Sequence, residues 1–212
     1  MKKSLLIINL FLLLACFNRS GVCAAEAKKQ RIISLSPATT EILYRLGLDD
    51  EIVGVTTFCN YPADAQKKEK VGSFSQPDFE KILTLKPDLI LATGLEQAAS
   101  VAKLRQLGLS ICVSDPASIE ELFASIQEIG SLTRREKEAM LLVNQMKAGI
   151  ETIKRRVTLV SHGQKPKVFI EIWHDPLMTA GKGSYVDELI RIAGGENIAF
   201  DAPRPYSYFG AE

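Results

Sequence analysis

The chain has 212 residues, 46% hydrophobic and 24% charged, which is enough apolar material for a core in one large domain or two small ones. Twenty-six Lys and Arg against twenty-five Asp and Glu leave a formal net charge of +1. That balance excludes a chain-wide field recruiting nucleic acid or an anionic membrane surface, and the apolar content excludes a disordered chain.

Met1, Lys2 and Lys3 precede "SLLIINLFLLLAC", a short basic segment followed by an apolar run too short to span a bilayer comfortably. Residues 1–24 read as an export signal, with Val22 and Ala24 at the small-residue positions of a cleavage site. Cleavage after Ala24 yields a soluble exported protein. "LLAC" also fits a lipoprotein box, and lipidation at Cys16 is the alternative, changing only the tether. Beyond the signal, Cys59 falls in a loop and Cys112 in a strand. Both are read as unpaired, and their spacing does not suggest zinc.

"RIISLS" reads as a buried strand, and Ser36 caps and Pro37 opens the helix "ATTEILYRLG". Then come strand "EIVGVTT", short helix "PDFEKILTL", strand "KPDLILAT", helix "EQAASVAKLRQLG", strand "LSICVSD" and helix "SIEELFASIQEIG". Alternating strands and helices predict an α/β fold, a mostly parallel sheet covered on both faces, over residues 29–130. Residues 133–160 lack Gly and Pro except for Gly149. There Met140, Val143, Met146, Ile150, Ile153 and Val157 recur at three- and four-residue steps, as in one amphipathic helix linking two lobes. "SHGQKPK" ends that pattern and "KVFIEIW" begins a new strand. "EILYRLGLDDEI" from Glu41 and "DELIRIAGGENI" from Asp187 match at an offset of 146 positions, as expected of two similar lobes. Residues 165–212 have room for one strand, one helix and part of another unit, so this second lobe is expected to be truncated.

For chemistry, His162 and His174 form no paired-ligand motif, and "GKGS" at Gly181 lacks the first glycine of a phosphate loop because Pro176 stands there. No metal site and no cofactor are predicted. Asp175 assisted by His174 is the one acid–base pairing available, but Asp175 before Pro176 also suits a turn, and no nucleophile completes a catalytic set. A secreted hydrolase is therefore the remote reading. Aromatic placement points elsewhere. Phe58, Tyr61, Phe74, Trp173, Tyr206 and Tyr208 all fall in loops expected beyond the carboxyl ends of strands, where α/β sheets bind ligands. Such rings make stacking walls for a broad, partly apolar ligand.

"RIISLSPATTEILYRLG", "VGVTTFCNYP", "VGSFSQPDFEKILTLKPDLILA" and "GGENI" resemble the cobalamin-binding proteins of vitamin importers, within the class of periplasmic substrate-binding proteins whose two α/β lobes are joined by one long rigid helix. The likeness covers Arg31 to Glu212. It implies a non-enzymatic, monomeric periplasmic protein that binds a corrinoid in a cleft between the lobes and delivers it to the permease of an ATP-driven ABC importer. Haem or an iron siderophore is the alternative ligand, with Arg204 as the cation near the aromatic loops. By the same resemblance, Phe58, Phe74, Trp173 and Tyr206 touch the ligand, joined by Tyr61 from its place in the Phe58 loop, and Glu80 and Glu212 dock on basic residues of the permease. Ala193 stands where some members have a disulfide cysteine, and Phe74 where some have Trp. His174 stays open between an exposed turn residue and a ligand to cobalt or iron.

Overall fold

The computed structural model describes residues 29–94, 97–160 and 163–208. The export signal with Cys16, His162 and Glu212 lie outside the described residues. Strands Ile32–Ser34 (β1), Ile52–Val55 (β2), Leu89–Ala92 (β3) and Ile111–Val113 (β4) form one sheet in the order β2-β1-β3-β4. Every neighbouring pair is parallel. Their side chains are apolar on both faces because helices cover both. Ile32, Leu89 and Leu91 join the core formed with Pro37–Arg45 (α1) and Ile119–Leu132 (α4). Ile33 and Ile90 pack on the other face with Phe79–Thr84 (α2) and Ala98–Gln106 (α3). The helix starts follow local chemistry. Ser36, Asp78 and Ser118 each accept a hydrogen bond from a first-turn amide, and Pro37 occupies the start of α1, where its missing N–H costs nothing.

The predicted linking helix is Glu136–Val160 (α5), 25 residues and about 37 Å long at 1.5 Å per residue. It starts later than predicted: Thr133 ends α4, its hydroxyl donating to the Ile129 carbonyl at 2.7 Å, and Arg134 turns the chain with φ 58°. Its buried stripe also differs. Ala139, Leu142 and Val143 are buried, with Met146 and Ile150 packed beside them, whereas Met140 and Ile153 are 52% and 45% exposed. The reason is the seat on α4: a Cβ added to Gly130 would lie 2.5 Å from Ala139 Cβ, so this face of α5 closes on a backbone with no side chain between. No described helix is long and apolar enough to cross a membrane.

The second unit contains Lys167–Val168 (β5), Glu171–His174 (β6), Leu177–Ala180 (β7), Tyr185–Ile192 (α6), Glu196–Asn197 (β8) and Tyr206–Tyr208 (β9). β5 pairs parallel with β8, and β6, β7 and β9 form an antiparallel sheet in that order. The single strand predicted for "KVFIEIW" is thus corrected to two strands in two sheets. An apolar run carries no mark of a change of partner. The internal repeat corresponds to a shared unit: β1-α1-β2 and β5-α6-β8 are each two parallel strands around one helix, with Ser184 capping α6 as Ser36 caps α1. The second copy carries the β6–β7 hairpin between its strand and its helix.

Asn197, in "GGENI", holds this unit together. Its buried amide donates to the Ala180 carbonyl at 2.8 Å and to Asp187 at 3.1 Å, and its oxygen accepts the Ala199 N–H at 3.0 Å. Asp187, 1% exposed, also pairs with Arg191 at 3.3 Å.

Cys59 and Cys112 are both free and buried. Cys112 is on β4 and Cys59 follows β2, the opposite edge strands, so about 14 Å of sheet separates them, beyond disulfide reach. Burial first and the Glu128 carboxylate second push the Cys112 thiol up to about 11. At pH 8 Cys112 should be almost wholly protonated and inert to alkylation in the native protein, and reactive once unfolded. Peptide mapping after iodoacetamide checks this, and rapid native labelling of Cys112 would contradict it.

Candidate ligand-binding site

The strand order reverses between β1 and β3, since β1 leads outward to β2 and β3 to β4. Such a switch point opens a crevice beyond the carboxyl ends of the two strands. Gln97, fully buried at the start of α3, bridges it. Its amide nitrogen donates to the carbonyls of Leu35, after β1, and Phe74, each at 2.8 Å. Its oxygen accepts the Thr93 N–H, after β3, at 2.9 Å. One side chain therefore sets three loops at the crevice. The sequence reading missed it, because a glutamine in "EQAAS" has the appearance of a solvent-facing helix residue.

The floor beside it is a buried hydroxyl network. Thr39 bonds to Ser34 and Ser36 at 2.7 and 2.9 Å, and Thr40 donates to Ser34 at 2.8 Å and to the Cys59 sulfur at 3.2 Å. Thr56 contacts the same sulfur at 3.2 Å. With its polar atoms engaged internally, this network fixes the loop that carries Phe58 and Tyr61. Those two rings are 59% and 65% exposed. Phe74 is half-buried in the neighbouring loop, whose turn is closed by the Ser73 N–H donating to the Gln76 carbonyl at 3.0 Å.

On the second unit the opening motif "EIWHDPLMTAG" is a hairpin. Trp173 lies opposite Met178, which lies opposite Tyr208, and Tyr206 follows at Ala180. Directly opposed residues share a sheet face, and positions two apart return to it. Trp173, Tyr206 and Tyr208 therefore stand on one face, exposed by 56%, 47% and 66%, while Thr179 and Ser207 are buried on the other. A register shift between Glu171 and Trp173 puts the indole on the ring face. The indole N–H donates to the Asp175 carbonyl at 2.9 Å, which fixes the ring and leaves its π surface as its means of contact.

His174 lies beside the indole, ring centroids 5.3 Å apart and tilted by 35°. Asp175 and Pro176 form the exposed turn between β6 and β7, so Asp175 has the structural place that the turn reading gave it. Among the described residues there is no group of three or more His, Cys, Asp and Glu able to hold a metal ion. Glu80 is exposed in the first turn of α2. Three concavities among the described residues lie away from these rings: about 640 Å³ beside Glu51, Asp88 and Arg135 at the amino ends of the strands, about 590 Å³ beside Lys167 and Asn197, and about 330 Å³ between α4, α5 and α6.

Two α/β units bridged by one long helix, with aromatic rings exposed at the strand ends, define the architecture of a solute-binding protein. The periplasmic binding protein family matches residues 32–208, and the chain belongs to it. It is 38% identical over 189 residues to the uncharacterized ABC transporter substrate-binding lipoprotein YvrC of Bacillus subtilis, covering 87% of this chain and 59% of the relative. It is 33% identical over 184 residues to the vitamin B12-binding protein of Yersinia pestis, covering 86% of this chain and 65% of the relative. The chain thus spans 59 to 65% of the length of these relatives.

Among solved structures, the periplasmic vitamin B12 binding protein BtuF of Vibrio cholerae aligns with TM-score 0.73 and 31% identity, covering 86% of this chain and 71% of that one. A possible iron-binding periplasmic solute-binding protein of Staphylococcus epidermidis aligns with TM-score 0.75 and 34% identity over 87% and 72%. The heme-binding protein BhuT, at 24% identity and TM-score 0.74, shares the fold.

Replacing Gln97 by Leu would strand one N–H and two carbonyls at the crevice. A loss of about 2–4 kcal/mol in urea denaturation is expected. A loss below about 0.5 kcal/mol would show that solvent takes over these bonds.

Proposed function

We propose that the protein is an exported, non-enzymatic, monomeric binder that captures a corrinoid of the cobalamin type between its two aromatic walls and hands it to the permease of an ABC importer. The observation that carries this reading is the exposed face of Trp173, Tyr206 and Tyr208, matched on the first unit by Phe58, Tyr61 and Phe74 around the strand switch point. Three exposed rings on one face of a small sheet suit a large flat ligand. The kinship with vitamin B12-binding proteins of Yersinia and Vibrio supports a corrinoid as the ligand.

Haem or an iron chelate is the second reading, favoured by the likeness to the possible iron-binding protein of Staphylococcus epidermidis. Arg204, exposed before Tyr206, is the cation that an anionic chelate would use. The mature protein is placed in the periplasm by the signal in residues 1–24, or held at a membrane through a lipid on Cys16.

Titration of the purified protein with cobalamin, haem and a ferric siderophore tests the ligand, with tight binding of cobalamin alone expected. Trp173→Ala should weaken capture by about 1–3 kcal/mol, because a pre-oriented ring is lost. His174→Ala should change it far less. Equal losses in both, with a shifted metal-centred absorption band, would make His174 a ligand and reverse the stacking account.

Delivery is proposed to run through Glu80, with Glu212 as its counterpart. Glu80→Arg should leave ligand binding in solution intact and abolish uptake, since a like-charge contact replaces an attractive one. Normal uptake in cells lacking the native binder would remove that role.

A further inference from the structure

Tyr185, Glu188 and Ile192 lie three and four residues apart on α6 and share one face of it. Tyr185 and Ile192 pack against the first unit's core. Between them Glu188 reaches across the units: its carboxylate accepts the backbone N–H of Ile119 at 2.9 Å. Ile119 is the first residue of α4, where the amides have no partner within the helix. The helix's own residues serve the neighbouring amides. Ser118 accepts from the Glu121 N–H at 3.2 Å, and Glu121 accepts from the Ala117 N–H at 2.8 Å. The Ile119 amide is left to a carboxylate from the other unit, at the helix end where negative charge is favoured. The nearby lysines have other partners, Lys147 with Glu120 at 3.4 Å and Lys154 with Glu151 at 2.8 Å. Burial first and the Glu188 carboxylate second raise the pKa of the Tyr185 phenol.

The location gives this contact leverage. α4 begins six residues after the carboxyl end of β4, at the same end of the strands as the aromatic loops. The other fixed point between the units lies past the far end of α6, where a Cβ on Gly194 would meet Val157 of α5 at 2.5 Å. Apolar packing of Tyr185 and Ile192 at the two ends of α6 is non-directional and tolerates sliding and tilting, whereas the directional charged hydrogen bond of Glu188 between them favours one orientation.

We propose that Glu188 is an inter-lobe latch, a positioning residue that fixes the angle between the two aromatic walls without touching the ligand. Its effect on affinity rests on the proposed inter-lobe binding, but its effect on lobe geometry does not. Spin labels at Gln76→Cys and Asp201→Cys, both exposed sites, report the lobe-to-lobe distance in the ligand-free full chain, because the described native cysteines are buried. One narrow distance distribution is expected for the parent. Glu188→Ala should broaden it. So should Glu188→Asp, which keeps the charge but withdraws the oxygen, and which serves where the alanine variant does not fold. Glu188→Gln, which keeps an acceptor, should restore the narrow distribution. Cobalamin dissociation should quicken roughly tenfold in the Ala and Asp variants only, the factor expected for losing a hydrogen bond to a charged group.

Unchanged distributions in Glu188→Ala and Glu188→Asp overturn the latch, even where melting temperature falls. Broadened distributions in a protein that does not bind cobalamin at all leave the latch standing and remove the ligand reading instead.

Discussion

The structure depends on one apolar stripe shared between two units. The first half of α5 buries Ala139, Leu142 and Val143 in the core that α1 and α4 form over the parallel sheet. Its far half meets the second unit at Val157 and Gly194. Gly194 has φ +82°, a conformation that disfavours side chains, and a Cβ there would collide with Val157. Glycine is thus required for two reasons, backbone conformation and close approach. In an α-helix the φ and ψ angles are restrained by the ladder of backbone hydrogen bonds, so whatever seats on both halves of α5 is held at a set distance. The seats of Ile192 and Tyr185 on the same core follow from this, and they bring Glu188 to the end of α4.

Within each unit the corresponding problem is polar. A sheet that ends inside a protein leaves loop amides and carbonyls which must be paired or solvated. In the first unit Gln97 pairs three of them across the switch point, and in the second Asn197 pairs two backbone groups and Asp187. Both amides offer donors and an acceptor from one planar group, so a single residue can set several loops at once. Such rigidity matters more beneath a binding surface than elsewhere, because rings held in place lose little entropy on contact with a ligand.

The alternating pattern made the first unit legible: each strand and helix expected over residues 29–130 is present, and the Ser36–Pro37 start has the expected cap. The exposure of Phe58 and Tyr61 also followed from their loop positions, whereas Trp173, Tyr206 and Tyr208, expected in loops, lie on strands β6 and β9 and are exposed because their side of the sheet is uncovered. The long-range features were not legible. Whether "KVFIEIW" is one strand or two depends on β8 and β7, which lie further along the chain. The choice of Ala139 over Met140 for the α5 seat depends on the absence of a side chain at Gly130. Gln97 and Glu188 act through backbone groups 23 to 69 residues away, and backbone partners leave no trace in residue type.

The second unit also shows why its rings are exposed rather than folded into a core. Its antiparallel sheet has small or polar residues on the inward side, Thr179 and Ser207, and the Thr179 hydroxyl donates to the Ile170 carbonyl at 3.0 Å. The register shift before Trp173 decides the surface: it moves the ring into the row of Met178 and Tyr208. The indole N–H is already spent on the hairpin turn, so Trp173 contributes area without directional demand. On the proposed reading of a flat ligand, discrimination would fall to polar groups at the rim, the phenols of Tyr206 and Tyr208 and the Arg204 side chain, which border the rings and are exposed. That reading would assign grip and selectivity to different residues, so that a change in the rim could retune the ligand without disturbing the proposed aromatic wall.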